Sequence, residues 1–211
     1  MSVSNNGYFR FDDVTVKALG GKALPGEWWS RPYEYAWALR FVDKKHTVAD
    51  MGCGWMGRPF TPELARQCKE VYAIDADNRV TGLENEHGNL FYIPMDFSNS
   101  EMDYFKTSTF DAIFCLSVIE DLRADDRLAA LKNFRRLVKP KGKIVITMDA
   151  IWEPWRIAEP YPTVNLMSFN RNVAQAGLRF VGEPHLSMPK NAVHHARWNL
   201  SCYHCVLERD K

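Results

Sequence analysis

Thr47-Val48-Ala49-Asp50-Met51-Gly52-Cys53-Gly54, followed by Val71-Tyr72-Ala73-Ile74-Asp75, decides the fold. The first run is a short apolar strand that ends in an acid and a Gly-x-Gly turn. The second is another apolar strand with its own acid at the tip. An α/β protein cradles a nucleoside-bearing ligand in this way. Glycine lets the backbone approach the ligand, and an acid about 20 residues further on, here Asp75, is placed to take a ribose diol.

Outward from this pair, strand and helix alternate. Leu90–Ile93, Phe110–Ser117 and Lys143–Met148 read as further strands. Phe110–Ser117 is apolar on both faces, as a central parallel strand is. A helix is expected from Thr61, with Thr as N-cap, Pro62 in the first helical position and Glu63 facing the N-terminal dipole. Asp125–Val138 is amphipathic, with Leu128, Leu131, Phe134 and Leu137 at three-residue spacing. A helix near Ser168–Gln175 stops at Ala176-Gly177. Arg179–Gly182 and Asn199–Leu207 have no helix between them, which predicts an antiparallel pair at the edge. The pattern as a whole predicts an α/β, doubly wound, mostly parallel sheet. Residues 1–45, with Trp28, Trp29, Tyr33, Tyr35 and Trp37 crowded together, read as an N-terminal arm on a 46–211 core, the two forming one domain.

Composition excludes several classes. The 211 residues carry 27 basic and 26 acidic side chains, a net charge of +1, with no Lys/Arg block to attract nucleic acid. No stretch is long and apolar enough to span a bilayer, and the first residues do not look like a secretion signal. Five irregularly spaced cysteines are no disulfide framework, so a cytoplasmic setting is expected. Cys202-Tyr203-His204-Cys205, beside His194 and His195, suggests zinc. Positions 202 and 205 of a strand point to opposite faces, however, so no metal is expected.

Gly52-Cys53-Gly54-Trp55-Met56-Gly57 matches the dinucleotide fingerprint, which would imply a nicotinamide cofactor. That motif needs the helix to begin within the glycine run, and Pro59 and Pro62 push it downstream. Asp50 would also repel a pyrophosphate but tolerates a cationic ligand such as S-adenosylmethionine (SAM). The chain resembles the class I, Rossmann-like SAM-dependent methyltransferases. The matching segments, in family order, are Val48–Gly54, Tyr72–Asp75, Met95-Asp96-Phe97, Phe110–Glu120 and Leu137–Lys143. It departs from the family's first motif at Met56, and from the Glu-His common after strand four at Glu120-Asp121.

The resemblance implies a seven-stranded sheet with the last strand antiparallel, and SAM as cofactor with S-adenosylhomocysteine (SAH) as product. It implies cofactor contacts from Arg31, Asp50, Gly52, Cys53, Gly54, Asp75, Ala76, Asp96, Phe97, Leu116 and Ser117. The acceptor pocket is expected from the arm and the later loops, with Trp29, Tyr33, Trp155 and Tyr161 as its walls. His195 and Asp149 are the candidate bases, with His194, Glu120 and Asp121 also in reach of that role. Strand four lacks the Asn/Asp-Pro-Pro-aromatic motif for nucleobase amino groups, and there is no Pro-Cys dipeptide of the cytosine-C5 type. The expectation is a methyltransferase for a small-molecule O, N or C acceptor, working as a monomer or homodimer without nucleic acid or membrane. The alternative is the same fold acting on a macromolecule or binding SAM without catalysis.

Overall fold

The computed structural model describes residues 4–56, 58–98, 102–151 and 162–210. In chain order the elements are β1 (Gly7–Tyr8), β2 (Ala18–Leu19), β3 (Lys22–Ala23), α1 (Arg31–Ala38), β4 (Thr47–Met51), α2 (Phe60–Gln67), β5 (Glu70–Asp75), β6 (Leu90–Pro94), β7 (Phe110–Leu116), α3 (Ala124–Leu137), β8 (Val138–Ile151), α4 (Leu166–Gln175), β9 (Leu178–Phe180), β10 (His194–His195) and β11 (Leu200–Arg209). The main sheet runs β6-β5-β4-β7-β8-β11-β1, with β9 and β10 also paired to β11. Strands β4 to β8 are mutually parallel, and β11 is antiparallel to β8. This is the expected doubly wound, mostly parallel sheet.

Side chains alternate between the two faces, as strand geometry requires. Along β7, Phe110, Ile113 and Cys115 enter the core that contains Leu131 and Phe134 of α3 and Phe169 of α4. Ala112, Phe114 and Leu116 enter the opposite core, with Tyr35 and Trp37 of α1 and Phe60 and Leu64 of α2. Both faces of the sheet are therefore covered by helices. Phe134 is fully buried, and truncating such a side chain to Ala costs about 3–5 kcal/mol.

One local expectation holds and another is corrected. β9 and β11 form the expected antiparallel pair on the outer side of the sheet, with β11 as its inner member. β11 sits against β8 on one side, and β10, β1 and β9 take successive stretches of its other side. Its residues Leu200–Val206 are all buried, which an interior strand requires and an edge strand does not. Thr61 is not a helix cap: α2 begins at Phe60 behind Pro59, and the Thr61 hydroxyl is used by Asp50 instead. Cys202 and Cys205 lie in a regular strand and belong to opposite cores, as strand alternation predicts.

The arm is knitted to the last strand. The side chain of Asn6 donates to the Val181 carbonyl and accepts the Val206 N–H, and Trp37 Nε1 donates to the Ser4 carbonyl. His204 of β11 is packed between Phe9 (ring centroids 4.5 Å apart) and Trp37 (4.7 Å). Burial pushes its pKa down to about 3, so the ring is neutral at ordinary pH.

Candidate active site

The expected cofactor residues converge at the C-terminal ends of the parallel strands, where α/β sheets bind ligands. The turn after β4 is latched onto β5: Gly52 and Cys53 donate to the Ile74 carbonyl at 2.7 and 3.3 Å. Gly52 and Gly54 have φ of +81° and +73°. A Cβ on Gly52 would sit 2.5 Å from the Val118 methyls, so only glycine fits between this loop and the chain leaving β7.

Asp75 ends β5. One carboxylate oxygen accepts the Gly54 N–H at 2.8 Å and the other accepts the Asp77 N–H at 2.9 Å. Ala76, next to it, is exposed. Outside the loop, the Arg79 guanidinium lies 3.7 Å over the Trp55 ring and is paired with Asp77. Beyond β6, Asp96 closes a turn by accepting from the Ser98 N–H and hydroxyl at 2.8 and 2.6 Å. Phe97 is buried against Phe134, with ring centroids 5.6 Å apart.

A small pocket opens beside the glycine turn, lined by Tyr35, Asp50, Gly52, Cys53, Arg58, Phe60 and Leu116. Asp50 is buried there and accepts the Thr61 hydroxyl at 2.6 Å. Burial raises its pKa to about 6, against the opposing pull of Thr61 and Arg58. Tyr35 Oη is buried with no hydrogen-bond partner among the described residues. Tyr35 and Arg58 had not been singled out in the sequence. Nothing local marks either of them, because the pocket joins α1 to the segment before α2 only in the folded chain.

At the β7 tip, Ser117 is buried with φ +46°, a conformation a serine keeps only when its surroundings enforce it. Its N–H donates to the carbonyl and to Oγ1 of Thr147, both at 3.0 Å, and its hydroxyl donates to Glu34 at 2.9 Å. Glu34 of α1 is fully buried, and it also accepts from Arg31 at 2.6 Å and from the Thr147 hydroxyl. Burial alone would raise this carboxyl, but Arg31 and the hydroxyls of Thr147 and Ser30 bring it below the usual carboxylate range. Arg31, expected at the cofactor, is thus committed to Glu34, and that pairing raises its own pKa against burial.

A second group of acids lies one strand further along, near the C-terminal end of β8. Glu120, on the short 3-10 turn Ile119–Asp121, is buried and accepts the Asp149 N–H at 3.2 Å. Its other oxygen, Oε2, and Asp149 Oδ1 are buried with no partner among the described residues. Burial, then the neighbouring Asp149, pushes Glu120 well above the carboxylate range. Burial, then the Glu34 charge, pushes Asp149 up to about 7. His195 lies further out in β10, which pairs with the start of β11. Its ring stacks on Trp198 at 3.9 Å, meets the edge of Trp29 at 5.9 Å, and its Nδ1 accepts the Trp198 N–H at 3.3 Å. Trp29 is thereby tied to β10. Tyr33 packs inward, tilted against Phe9 at 6.1 Å. Trp155 and Tyr161 lie outside the described residues. Among the described residues no cluster of three metal-ligating side chains occurs.

Strand order, the latched glycine turn, the acid ending β5 and the late antiparallel strand define the methyltransferase version of the Rossmann-like fold. Residues 49–146 match the family model of the methyltransferase domain. The fold is that of the class I, Rossmann-like SAM-dependent methyltransferases. It is similar to a TehB-like SAM-dependent methyltransferase from Corynebacterium glutamicum, at 18% identity over 90% of each chain, with a TM-score of 0.63. It is also similar to the [4+2]-cyclase SpnF, at 14% identity over 99% of this chain and 88% of that one, with a TM-score of 0.66. A third similar structure is the Burkholderia thailandensis 1,6-didemethyltoxoflavin-N1-methyltransferase, solved with that substrate and SAH. It shows 17% identity over 88% and 80% of the two chains, with a TM-score of 0.64. At these identities the likeness is one of fold. Among curated proteins no sequence matches.

Proposed function

We propose that the protein transfers the methyl group of SAM to a small-molecule acceptor, with 1–211 acting as one domain and residues 1–45 as its cap. One observation carries the acceptor class. Glu34 of the arm is buried across the tips of β7 and β8, tied to Ser117 and Thr147, so the arm covers this side of the sheet. A ligand that reaches the covered tips has to be small, and the near-zero net charge gives no field for nucleic acid.

The residues present fit the cofactor. Gly52 and Gly54 leave space where a Cβ would collide, Asp75 stands at the ribose position, and Tyr35 Oη is a buried polar group with no partner. In this reading Gly52, Cys53, Gly54 and Asp50 hold the amino-acid end, with Tyr35 and Arg58 as donors to its carboxylate. That contact passes from Arg31, which holds Glu34, to Arg58. Asp75 and Ala76 take the ribose, Asp96 and Phe97 the adenine, and Leu116 and Ser117 flank the reacting end. Bound SAM supplies an electrophilic methyl on a sulfonium, leaving SAH as product. The protein's own task is to align the acceptor atom and exclude water, and such positioning is worth roughly 7–11 kcal/mol of barrier. Trp29 of the arm, with Trp155 and Tyr161, is assigned to the acceptor wall, while Tyr33, packed against Phe9, supports it from behind.

Among the described residues no helix is long and apolar enough to cross a membrane. We assign the protein to the cytoplasm, as a monomer or homodimer. Calorimetric titration with SAH and with NADH, repeated on Asp75→Ala, tests the reading. Micromolar SAH binding that is weakened in the variant and absent for NADH supports it. NADH binding alone overturns it. A labelled-methyl screen of small acceptors then tests turnover, and SAH binding without turnover would favour a non-catalytic or macromolecular role.

A further inference from the structure

We propose that Glu120 and Asp149 form a seat for a basic nitrogen, so that the acceptor is an amine that arrives as its ammonium form. The inference rests on the methyltransferase reading and narrows its substrate class. Two carboxyl groups meet at the β8 tip, one strand beyond Ser117. Each holds a buried oxygen that accepts no hydrogen bond among the described residues. Glu120 is 7% exposed, and a buried acceptor left unpaired is costly, about 1–3 kcal/mol and more if charged. Each unpaired buried oxygen in a native structure calls for an explanation, and the backbone link from Asp149 to Glu120 places these two in one site.

The surroundings select the sign of a ligand at this site. The charged and titratable groups facing the two carboxyls are Arg31 and Glu34 on α1, Asp121 beside Glu120, Arg127 on α3, Cys115 on β7 and Cys202 on β11. Of the two cations among them, Arg31 is already paired with Glu34, and Arg127 gives its Nε and Nη2 to the Ile119 and Leu122 carbonyls. Burial keeps the Cys202 thiol well above its usual range and neutral. The ion pair cancels, so Glu120 and Asp149 are the groups with acceptor capacity left. An anionic acceptor would be repelled as soon as either carboxyl ionised. An alcohol could satisfy one oxygen, whereas an ammonium brings several N–H donors and a charge.

Without a ligand the pair holds protons, and Asp149 titrates near neutral pH. An arriving ammonium displaces a proton and leaves Asp149 as carboxylate. Before attack, one N–H bond breaks, its proton passes to a carboxylate oxygen of Asp149, and nitrogen keeps the electron pair that makes it a nucleophile.

The test compares isosteric amines and alcohols, benzylamine against benzyl alcohol first and then aliphatic and secondary amines. Binding to SAH-saturated protein is measured by calorimetry in two buffers of different ionisation heat. The expected result is at least one amine bound about tenfold tighter than its alcohol at pH 7, with proton release. That preference and the proton release disappear in the E120Q/D149N double variant, while SAH affinity stays unchanged. Equal binding of amine and alcohol, a preference that survives the double substitution, or no amine bound across the set overturns the proposal. Loss of SAH binding in the parent would instead count against the methyltransferase reading. The amine and alcohol titrations on SAH-free protein would then still decide the seat.

Discussion

At the β5 tip both oxygens of Asp75 accept backbone N–H groups, whereas at the β8 tip one oxygen of Asp149 and one of Glu120 accept nothing among the described residues. Asp75 and Asp149 lie toward the same end of one sheet, on strands separated by β4 and β7, yet the first is satisfied by its own fold and the second is not. The glycine turn is held in place by backbone hydrogen bonds before any ligand arrives, so the cofactor half is preorganised and costs little to order on binding. The half around Glu120 and Asp149 holds unpaired buried oxygens, which in the proposed reading a ligand of matching chemistry relieves. Between them, Glu34 joins α1 to the tips of β7 and β8 and closes one half against the other.

The largest effect should come from breaking that joint. Glu34→Ala leaves Arg31, Ser117 and Thr147 without their shared acceptor, and is expected to cost about 3–5 kcal/mol in denaturant unfolding. A loss below about 1 kcal/mol would mean the buried cluster repacks or hydrates, and the two halves are not held by it. Next, Gly52→Ala has to push Val118 aside and hold an L side chain at φ +81°, which together cost about 3 kcal/mol. It should also abolish SAH binding, whereas an unchanged SAH affinity would contradict the preorganised turn.

Asp75→Asn keeps the shape but gives up the charged acceptor for Gly54. Charged hydrogen bonds of this kind are worth about 1.5–3 kcal/mol, so SAH affinity should fall roughly 10- to 100-fold in calorimetry. Unfolding should change less than in the first two variants.

The smallest effect sharpens the half around Glu120 and Asp149. Asp149 is raised in the folded protein from the ordinary carboxylate range to about 7. Between those values the folded state binds more protons than the unfolded one, so this group's contribution to stability falls as pH rises from about 4 through 7. Asp149→Asn removes that loss. Its unfolding free energy relative to the parent, measured by denaturant titration, should therefore be higher at pH 8 than at pH 5, by an amount on the order of 1 kcal/mol after solvent screening. His204 works in the opposite sense in parent and variant alike. Held neutral with a pKa near 3, it withdraws stability as pH falls below about 6.5, so the paired comparison cancels it.

Much of the cofactor half was legible because its signals are local. β4, β5 and β7 are short apolar runs ending in an acid or a small residue, and the glycines mark the turn whatever surrounds it. Thr61 shows where locality fails. A threonine before a helix looks the same whether its hydroxyl caps the backbone or bonds Asp50, and only folding brings Asp50 within 2.6 Å. Arg31 and Glu34 look like an ordinary surface pair three residues apart. Their burial depends on Ser117 and Thr147, supplied by strands 83 and 113 residues away from Glu34. The placement of β11 could have been read, since Leu200–Val206 is buried throughout and its composition already lacks the polar alternation of an edge. The unpaired oxygens of Glu120 and Asp149 were beyond any sequence pattern, because an absent partner leaves no trace in the chain.

The hydrogen bond from Val206 to the side chain of Asn6 spans 200 residues, and through β11 it fastens the arm to the sheet. Contacts of such sequence separation form late and slowly, since a long loop must close before they stabilise anything. Strands β4 to β8 can assemble earlier from nearer pieces. The intermediate that results would display β8 as an open, apolar edge until β11 docks against it, and would be prone to pair with other chains during that interval. High concentration during refolding should therefore lower the yield of this protein before any weakness of the folded state shows.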